Sequence, residues 1–276
     1  MPDTSDRSGD VLYAALRARH FVIAGPCVLE SLEQALESAF AVKEAAEKAG
    51  MPAVFKSSYD KANRTSIKSF RGPGMRLGLE WLRAVRNASG LPVTTDVHEV
   101  SDVEETAESV DILQIPAFLC RQTALLLAAG RSGRIVNVKK GQFLAPQDML
   151  QVYAKTASTG NGKILFTERG SSFGYNNLVV DMRSFRLMAG AGVPLVMDAT
   201  HSAQLPGGLG ESSGGDREMV PLLARAAAAA GADGVFLECH PDPDRALCDG
   251  PNSLKLSDLP KLLRQLSAVW SATSEQ

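Results

Sequence analysis

Residues 135–170 read IVNVKKGQFLAPQDMLQVYAKTASTGNGKILFTERG. Both ends, IVNVKK (135–140) and ILFTERG (164–170), are short apolar or β-branched runs bounded by Gly and polar residues, the pattern of a buried strand. Between them, residues 147–158 repeat apolar side chains at helical spacing. Two parallel strands need a crossover of this kind, so the stretch reads as one βαβ unit.

The same rhythm continues in both directions. Upstream lie FVIAGPC (21–27), AVFKSS (53–58), PVTTDV (92–97) and DILQIP (111–116); downstream lie PLVMDAT (194–200) and GVFLECH (234–240). Helical stretches alternate with them, near 31–49, 74–88, 101–108, 121–129, 176–189, 217–230 and 257–271, the first closed by Gly50. Strand and helix thus alternate eight times, which predicts a single (β/α)8 TIM barrel over residues 21–276, since doubly wound sheets usually use fewer strands. A length of 276 residues suits a barrel of roughly 250 residues. Residues 1–20 are expected to form a short N-terminal extension capping the barrel's bottom, and no interdomain linker interrupts the pattern.

Composition narrows the function. Apolar residues make up 45% and charged residues 22%, as in an ordinary globular chain. A net charge of −2 gives no basic surface for nucleic acid, so an anion site must come from a local cluster. No apolar run nears the roughly 20 residues of a membrane span, and MPDTSDRSGD lacks the regions of a signal peptide. The expectation is a cytoplasmic chain with no membrane or nucleic-acid partner. Cys27, Cys120, Cys239 and Cys248 form no CxxC pair and read as buried thiols.

Barrel active sites gather at the C-terminal ends of the strands. Those positions here are Cys27, Lys56, Asp96, Gln114, Lys139 with Lys140, Arg169, His201 and Glu238, all polar. Two constellations emerge. Lys56, Lys61, Arg64, Arg121, Lys139 and Arg169 form a cationic set suited to phosphate and carboxylate groups. Some of them could instead pair with acids such as Glu168 or lie in solvent. Cys27, His201, Glu238 and Asp249 are ligand types for a divalent transition metal, on strands 1, 7 and 8 and the loop after strand 8, which adjoin in a closed barrel. A buried thiol and a hydrogen-bonded histidine are the alternative. Gly207–Gly215 reads as either a lid or a plain surface loop.

At these residues the chain resembles the 3-deoxy-D-manno-octulosonate 8-phosphate synthase family. The segments that carry the likeness span about residues 20–260: IAGPCVLES, FKSSYDKANRTSIKSFRGPG, TTDVHE, LQIPAFLCRQT, NVKKGQFLAP, ERGSSFGYNNLVVDM, DATHS and ECHPDPDRALCDGP. The related 3-deoxy-D-arabino-heptulosonate 7-phosphate synthases carry KPRTS where this chain has Lys61-Ala62-Asn63-Arg64-Thr65-Ser66. The resemblance implies condensation of phosphoenolpyruvate with D-arabinose 5-phosphate and water, giving the eight-carbon keto sugar acid phosphate and inorganic phosphate, in the route to the lipopolysaccharide inner core. It implies Lys56, Lys61, Asp96 and His201 as catalytic groups. Lys139, Arg169 and Arg121 would hold the phosphoenolpyruvate phosphate, with Lys56, Lys61 and Gln114 around its carboxylate and reacting carbons. Asn63 and Asp96 would meet the sugar hydroxyls, and Arg64 and Thr65 the sugar phosphate, across a subunit boundary of a homotetramer. Cys27 resembles the metal-dependent branch, in which Cys27, His201, Glu238 and Asp249 hold one divalent ion (Zn, Fe, Mn or Co). The metal-independent branch has Asn in place of that Cys, and Cys248-Asp249-Gly250-Pro251 resembles its form of the loop. The competing readings are the seven-carbon synthase acting on erythrose 4-phosphate, a non-catalytic phosphosugar-binding barrel and a metal-dependent aldolase.

Overall fold

In the computed structural model, eight parallel strands hydrogen-bond in sequence order: β1 (Phe21–Gly25), β2 (Ala53–Lys56), β3 (Val93–Asp96), β4 (Ile112–Ile115), β5 (Ile135–Lys139), β6 (Ile164–Glu168), β7 (Leu195–Asp198) and β8 (Gly234–His240). The sheet closes because β8 returns to β1, pairing Phe21 with Gly234 through Gly25 with Glu238. The expected closed barrel is therefore present. The structure describes residues 4–64, 66–207 and 214–273; Thr65 and most of the Gly207–Gly215 loop lie outside the described residues.

Helices cover the outside: α1 (Thr4–Ala18), α2 (Leu32–Ala49), α3 (Met75–Ser89), α4 (Val103–Ser109), α5 (Thr123–Arg131), α6 (Met149–Ala157), α7 (Arg183–Met188), α8 (Met219–Ala229) and α9 (Leu259–Thr273). The second shows how the sequence sets an element's ends. Ser31 caps its start by accepting the amide of Gln34, and Gly50 ends it in the left-handed region at φ 67°. No helix among the described residues is long and apolar enough to cross a membrane.

The helix expected over 176–189 begins only at Arg183. Before it, Ser171–Ser172 and Leu178–Val179 pair as an antiparallel ribbon. Gly174 and Asn176 at its tip take φ 77° and 54°, a conformation that bends a loop and breaks a helix. The last strand-like run before His201 is also shorter than it reads. It stops at Asp198, whose side chain accepts the amide of His201 and caps the short helical turn Ala199–Ser202.

Alternation along the strands sorts the buried residues into two sets. Val22, Leu113, Val136, Val138, Met197, Val235 and Leu237 join the helices in the outer core. Ile23, Val54, Ile112, Ile135, Leu165, Val196 and Phe236 form the inner one, with Leu16 of α1 buried against them. Two residues further along, the same inward parity yields Lys56, Gln114, Asn137, Thr167, Asp198 and Glu238, all buried. The barrel interior is thus apolar toward the N-terminal ends of the strands and polar toward their C-terminal ends.

Candidate active site

Two adjoining cavities of about 620 and 390 Å³ occupy the C-terminal mouth and share Lys61, Asn63, Phe118, Gln142, Arg169 and His201 as lining. The larger one is also bounded by Arg64, Cys248 and Asp249, the smaller by Lys56, Asp96 and Lys139. Ten of the residues singled out by sequence therefore meet here or directly beneath: Lys56, Lys61, Asn63, Arg64, Asp96, Lys139, Arg169, His201, Asp249 and, through its contacts, Glu238.

Each cation reaches the site from a strand end or the loop after it. Lys56 Nζ donates to Glu238 Oε1 at 3.2 Å, to Ser58 Oγ at 3.0 Å and to the Cys27 carbonyl at 3.3 Å. That last contact requires close approach of β1 and β2. A Cβ on Gly25 would sit 2.1 Å from the Lys56 carbonyl oxygen, so the Gly of the GPC segment is sterically required. Lys61 Nζ stands 3.7 Å from Glu238 Oε1. Lys139 Nζ donates to Asp198 Oδ2 at 2.6 Å and lies 3.9 Å from the centroid of the Phe236 ring. Arg169 is 5% exposed; its Nη2 donates to Gln204, while Nη1 is buried with no partner among the described residues. The Glu168 carboxylate accepts the Arg169 and Gly170 amides and holds this corner.

The acids are held ionised. Burial alone would push the Asp96 carboxyl up, but the ammonium groups of Lys56, Lys61 and Lys139 outweigh it and hold it well below the usual range. Asp198 behaves alike: burial is overcome by His201 and Lys139. Burial also depresses Lys139 and Arg169 against the pull of Asp198, so both cations are poised for a further anion.

The second constellation assembles as two triads that share Asp249, one with Cys27 and Cys248, the other with His201 and Glu238. His201 Nδ1 faces Asp198 Oδ2 at 2.8 Å, which leaves Nε2 at 3.6 Å from both Glu238 Oε1 and Asp249 Oδ2. Cys27 Sγ lies 3.4 Å from Asp249 Oδ2 and in contact with Cys248 Sγ at 2.7 Å. The other oxygen of Glu238, Oε2, is buried without a hydrogen-bond partner among the described residues. Tetrahedral coordination with bonds of 2.0–2.3 Å separates ligands by roughly 3.3–3.8 Å; the His201–Glu238, His201–Asp249 and Cys27–Asp249 spacings fall in that window, and Asp249 is the residue that joins Cys27 to the other two. His201 held by a carboxylate on its far nitrogen is the usual support of a metal-bound imidazole. Soft thiolate, imidazole and carboxylate together fit a borderline transition metal, so the donor set and the orphaned Glu238 oxygen suit such an ion. Burial and the neighbouring Cys248 thiol push the Cys27 thiol well up, while the Asp198 and Glu238 carboxylates outweigh burial and raise His201. Asp249 adopts φ 50°, a left-handed conformation for a side chain other than Gly, and its position depends on Gly250, where a Cβ would meet the Pro243 carbonyl at 2.3 Å.

Two expected residues stand elsewhere. Gln114 lines neither cavity: it is fully buried below Asp96, donating to Asp96 Oδ1 at 2.6 Å and accepting from Asn137. Arg121 is exposed and lines neither cavity. Arg64, expected to reach across a subunit boundary, here turns into its own chain's cavity, 3.7 Å from Asp249. Thr65 is not among the described residues.

Several residues to which sequence reasoning gave no role in the site belong to it. Asp198 joins Lys139 to His201, Ser58 joins Lys56 to Asp96, and Cys248 abuts Cys27. Asp198 left a signal, since it shares inward parity with Val196 at a strand end.

Comparison with known proteins agrees over nearly the whole chain. The model of the DAHP synthetase I family matches residues 16–275. A protein named 2-dehydro-3-deoxyphosphooctonate aldolase from Nitratidesulfovibrio vulgaris is 66% identical over 262 residues, covering 95% of this chain and 96% of the relative. Proteins of the same name from Syntrophotalea carbinolica and Pelobacter propionicus are 58% and 60% identical, covering 98% and 90% of this chain and 96% and 91% of the relatives.

Proposed function

The chain belongs to the DAHP synthetase I family, and we propose that it condenses phosphoenolpyruvate with D-arabinose 5-phosphate and water to give 3-deoxy-D-manno-octulosonate 8-phosphate and inorganic phosphate. The observation that carries this reading is the opening of Lys56, Lys61, Lys139 and Arg169 into the same pair of cavities as His201 and Asp249. Two adjoining cavities walled by cations suit two anionic substrates meeting at one reactive carbon. The names of the relatives support the eight-carbon product, as does Asn63-Arg64 in the segment where seven-carbon synthases resemble KPRTS.

Lys139 and the unpartnered Nη1 of Arg169 hold the phosphoenolpyruvate phosphate, while Lys56 and Lys61 flank its carboxylate and reacting carbons. Asp96 and Asn63 meet the sugar hydroxyls, and Arg64 the sugar phosphate. Arg121 lines neither cavity of its own chain, and Gln114 acts through Asp96. The enol C3 attacks the aldehyde carbon, so a C–C bond forms and positive charge develops at C2. Water adds to C2, and the hemiketal phosphate loses inorganic phosphate by C–O cleavage. Fixed charges that need no reorganisation during these steps orient both substrates and stabilise the charge that develops. Cys27, His201, Glu238 and Asp249 would hold one divalent ion, Zn, Fe, Mn or Co, which polarises the aldehyde or an attacking water when bound. His201 is kept in one orientation by Asp198. A homotetramer belongs to the same reading, supported by exposed Phe118, Phe143, Phe173 and Tyr175 on loops after β4, β5 and β6, and a cytoplasmic location goes with it. The first helix, with Leu16 buried against the inner core, serves as the cap of the barrel's bottom.

The test is phosphate release by purified protein given phosphoenolpyruvate with arabinose 5-phosphate or erythrose 4-phosphate, with and without chelator. Arabinose 5-phosphate should have the higher kcat/KM; equal or reversed preference overturns the assignment.

A further inference from the structure

Asp96 terminates a file of hydrogen bonds that crosses four neighbouring strands. Thr167 Oγ1 on β6 donates to Asn137 Oδ1 on β5 at 2.7 Å. Asn137 Nδ2 donates to Gln114 Oε1 on β4 at 3.0 Å, and Gln114 Nε2 donates to Asp96 Oδ1 on β3 at 2.6 Å. Strand register brings the file together, pairing Asp96 with Gln114 and Gln114 with Asn137. Thr167, Asn137 and Gln114 are all completely buried.

The direction of every link is decided at the Asp96 end. An ionised carboxylate can only accept, so Gln114 must turn its NH2 toward Asp96 and its carbonyl toward Asn137. Asn137 must then present its own NH2 to Gln114, and its carbonyl is left to the Thr167 hydroxyl, which can donate. Flipping either amide would set donor against donor or acceptor against acceptor in a fully buried layer. Two apolar side chains at the Asn137 and Thr167 positions would need no partners themselves, as in the layer beneath, but would leave the buried Gln114 carbonyl without a donor. What the polar pair contributes is a donor for the Gln114 carbonyl, which fixes where the amide sits once Asp96 has set its sense.

We propose that Asn137 and Thr167 are positioning residues for the aldose side of the reaction. They hold the Gln114 amide hydrogen on Asp96 Oδ1, which leaves Oδ2 aligned with Ser58 and Lys56 at the wall of the smaller cavity. Neither residue lines a cavity; both act through Gln114 and Asp96. The inference rests on the proposed contact of Asp96 with the sugar hydroxyls.

Full-length Thr167→Val, Thr167→Ser and Asn137→Asp variants would be assayed for kcat, for KM toward each substrate and for melting temperature. Thr167→Val keeps the shape and removes the donor, and Asn137→Asp replaces the NH2 that faces Gln114. Both should raise KM for arabinose 5-phosphate at least fivefold and leave KM for phosphoenolpyruvate within twofold. Thr167→Ser restores the hydroxyl and should match the wild type within twofold on every constant. Equal effects on both substrates, an unchanged Thr167→Val enzyme, or a Thr167→Ser enzyme as impaired as Thr167→Val would overturn the proposal. Should Asn137→Asp fail to fold, the Thr167 pair decides. A wild-type enzyme inactive with arabinose 5-phosphate overturns the parent reading instead, and this proposal with it.

Discussion

Replacing Asp198 by asparagine removes one negative charge from the centre of the site and keeps its shape. The carboxylate accepts from Lys139 Nζ at 2.6 Å, from the His201 amide at 2.9 Å and from His201 Nδ1 at 2.8 Å, and it is completely buried. Asparagine can still accept the backbone amide, so the cap of the Ala199–Ser202 turn survives. The two side-chain contacts lose their charge. Removing one partner of a buried ion pair costs about 3–5 kcal/mol. Lys139 has an outlet, because burial already depresses it and it can shed its proton, so the lower end of that range applies. At roughly 2–4 °C per kcal/mol for a chain of this size, Tm should drop by about 6–12 °C. The imidazole also loses the carboxylate that fixes its orientation, a change that typically weakens metal binding about 10–100-fold. Calorimetric melting at pH 7 and zinc titration of the apoprotein read the two effects separately. A Tm within 2 °C of wild type together with an unchanged zinc affinity would refute the account of Asp198 as the hub of the site.

Arg169→Ala deletes a charge-assisted contact of roughly 1.5–3 kcal/mol and should lower kcat/KM for phosphoenolpyruvate at least tenfold; near-normal constants would put Arg169 outside the phosphate site. Cys27→Ala should lose bound metal by elemental analysis and most activity, whereas Cys27→Asn, beside the Cys248-Asp249-Gly250-Pro251 loop, should keep some turnover after exhaustive chelation. Full activity of chelated, metal-free wild type would instead leave Cys27 as a thiol in the pocket wall. Asp96 and Asp198 have folded pKa values depressed below an unfolded value of about 3.9, so their contribution is intact above that pH and is lost as pH falls through the folded values. Urea midpoints of wild type should therefore decline below about pH 4, and Asp198→Asn should decline less steeply; parallel curves would show that Asp198 carries no such linkage.

The barrel was legible because its signal is repeated. Eight apolar runs with helical spacers leave few alternatives, and parity along each run sorts inward from outward residues. Residues 171–182 were not legible, because local turn chemistry at Gly174 and Asn176 overrides an apolar pattern that otherwise reads as helix. The cations and metal-type ligands were legible at strand ends, since a charged residue there has somewhere to go. What could not be read was which partner each would choose. Lys56 reaches Glu238 from the far side of β1, and Asp198 bridges Lys139 to His201, contacts set by barrel closure and not by spacing.

Residues without charge were harder to read than residues with it, and the reason is physical. Asn137 in IVNVKK and Thr167 in ILFTERG share parity with Lys139 and Arg169, yet a lone Asn or Thr in a strand commonly means only a satisfied hydrogen bond. Their meaning comes from what they face. Asp96 is ionised because Lys56, Lys61 and Lys139 crowd it, and an ionised acceptor imposes a direction on Gln114 that passes to Asn137 and Thr167. Charge at the mouth therefore dictates hydrogen-bond sense two strands beyond Gln114.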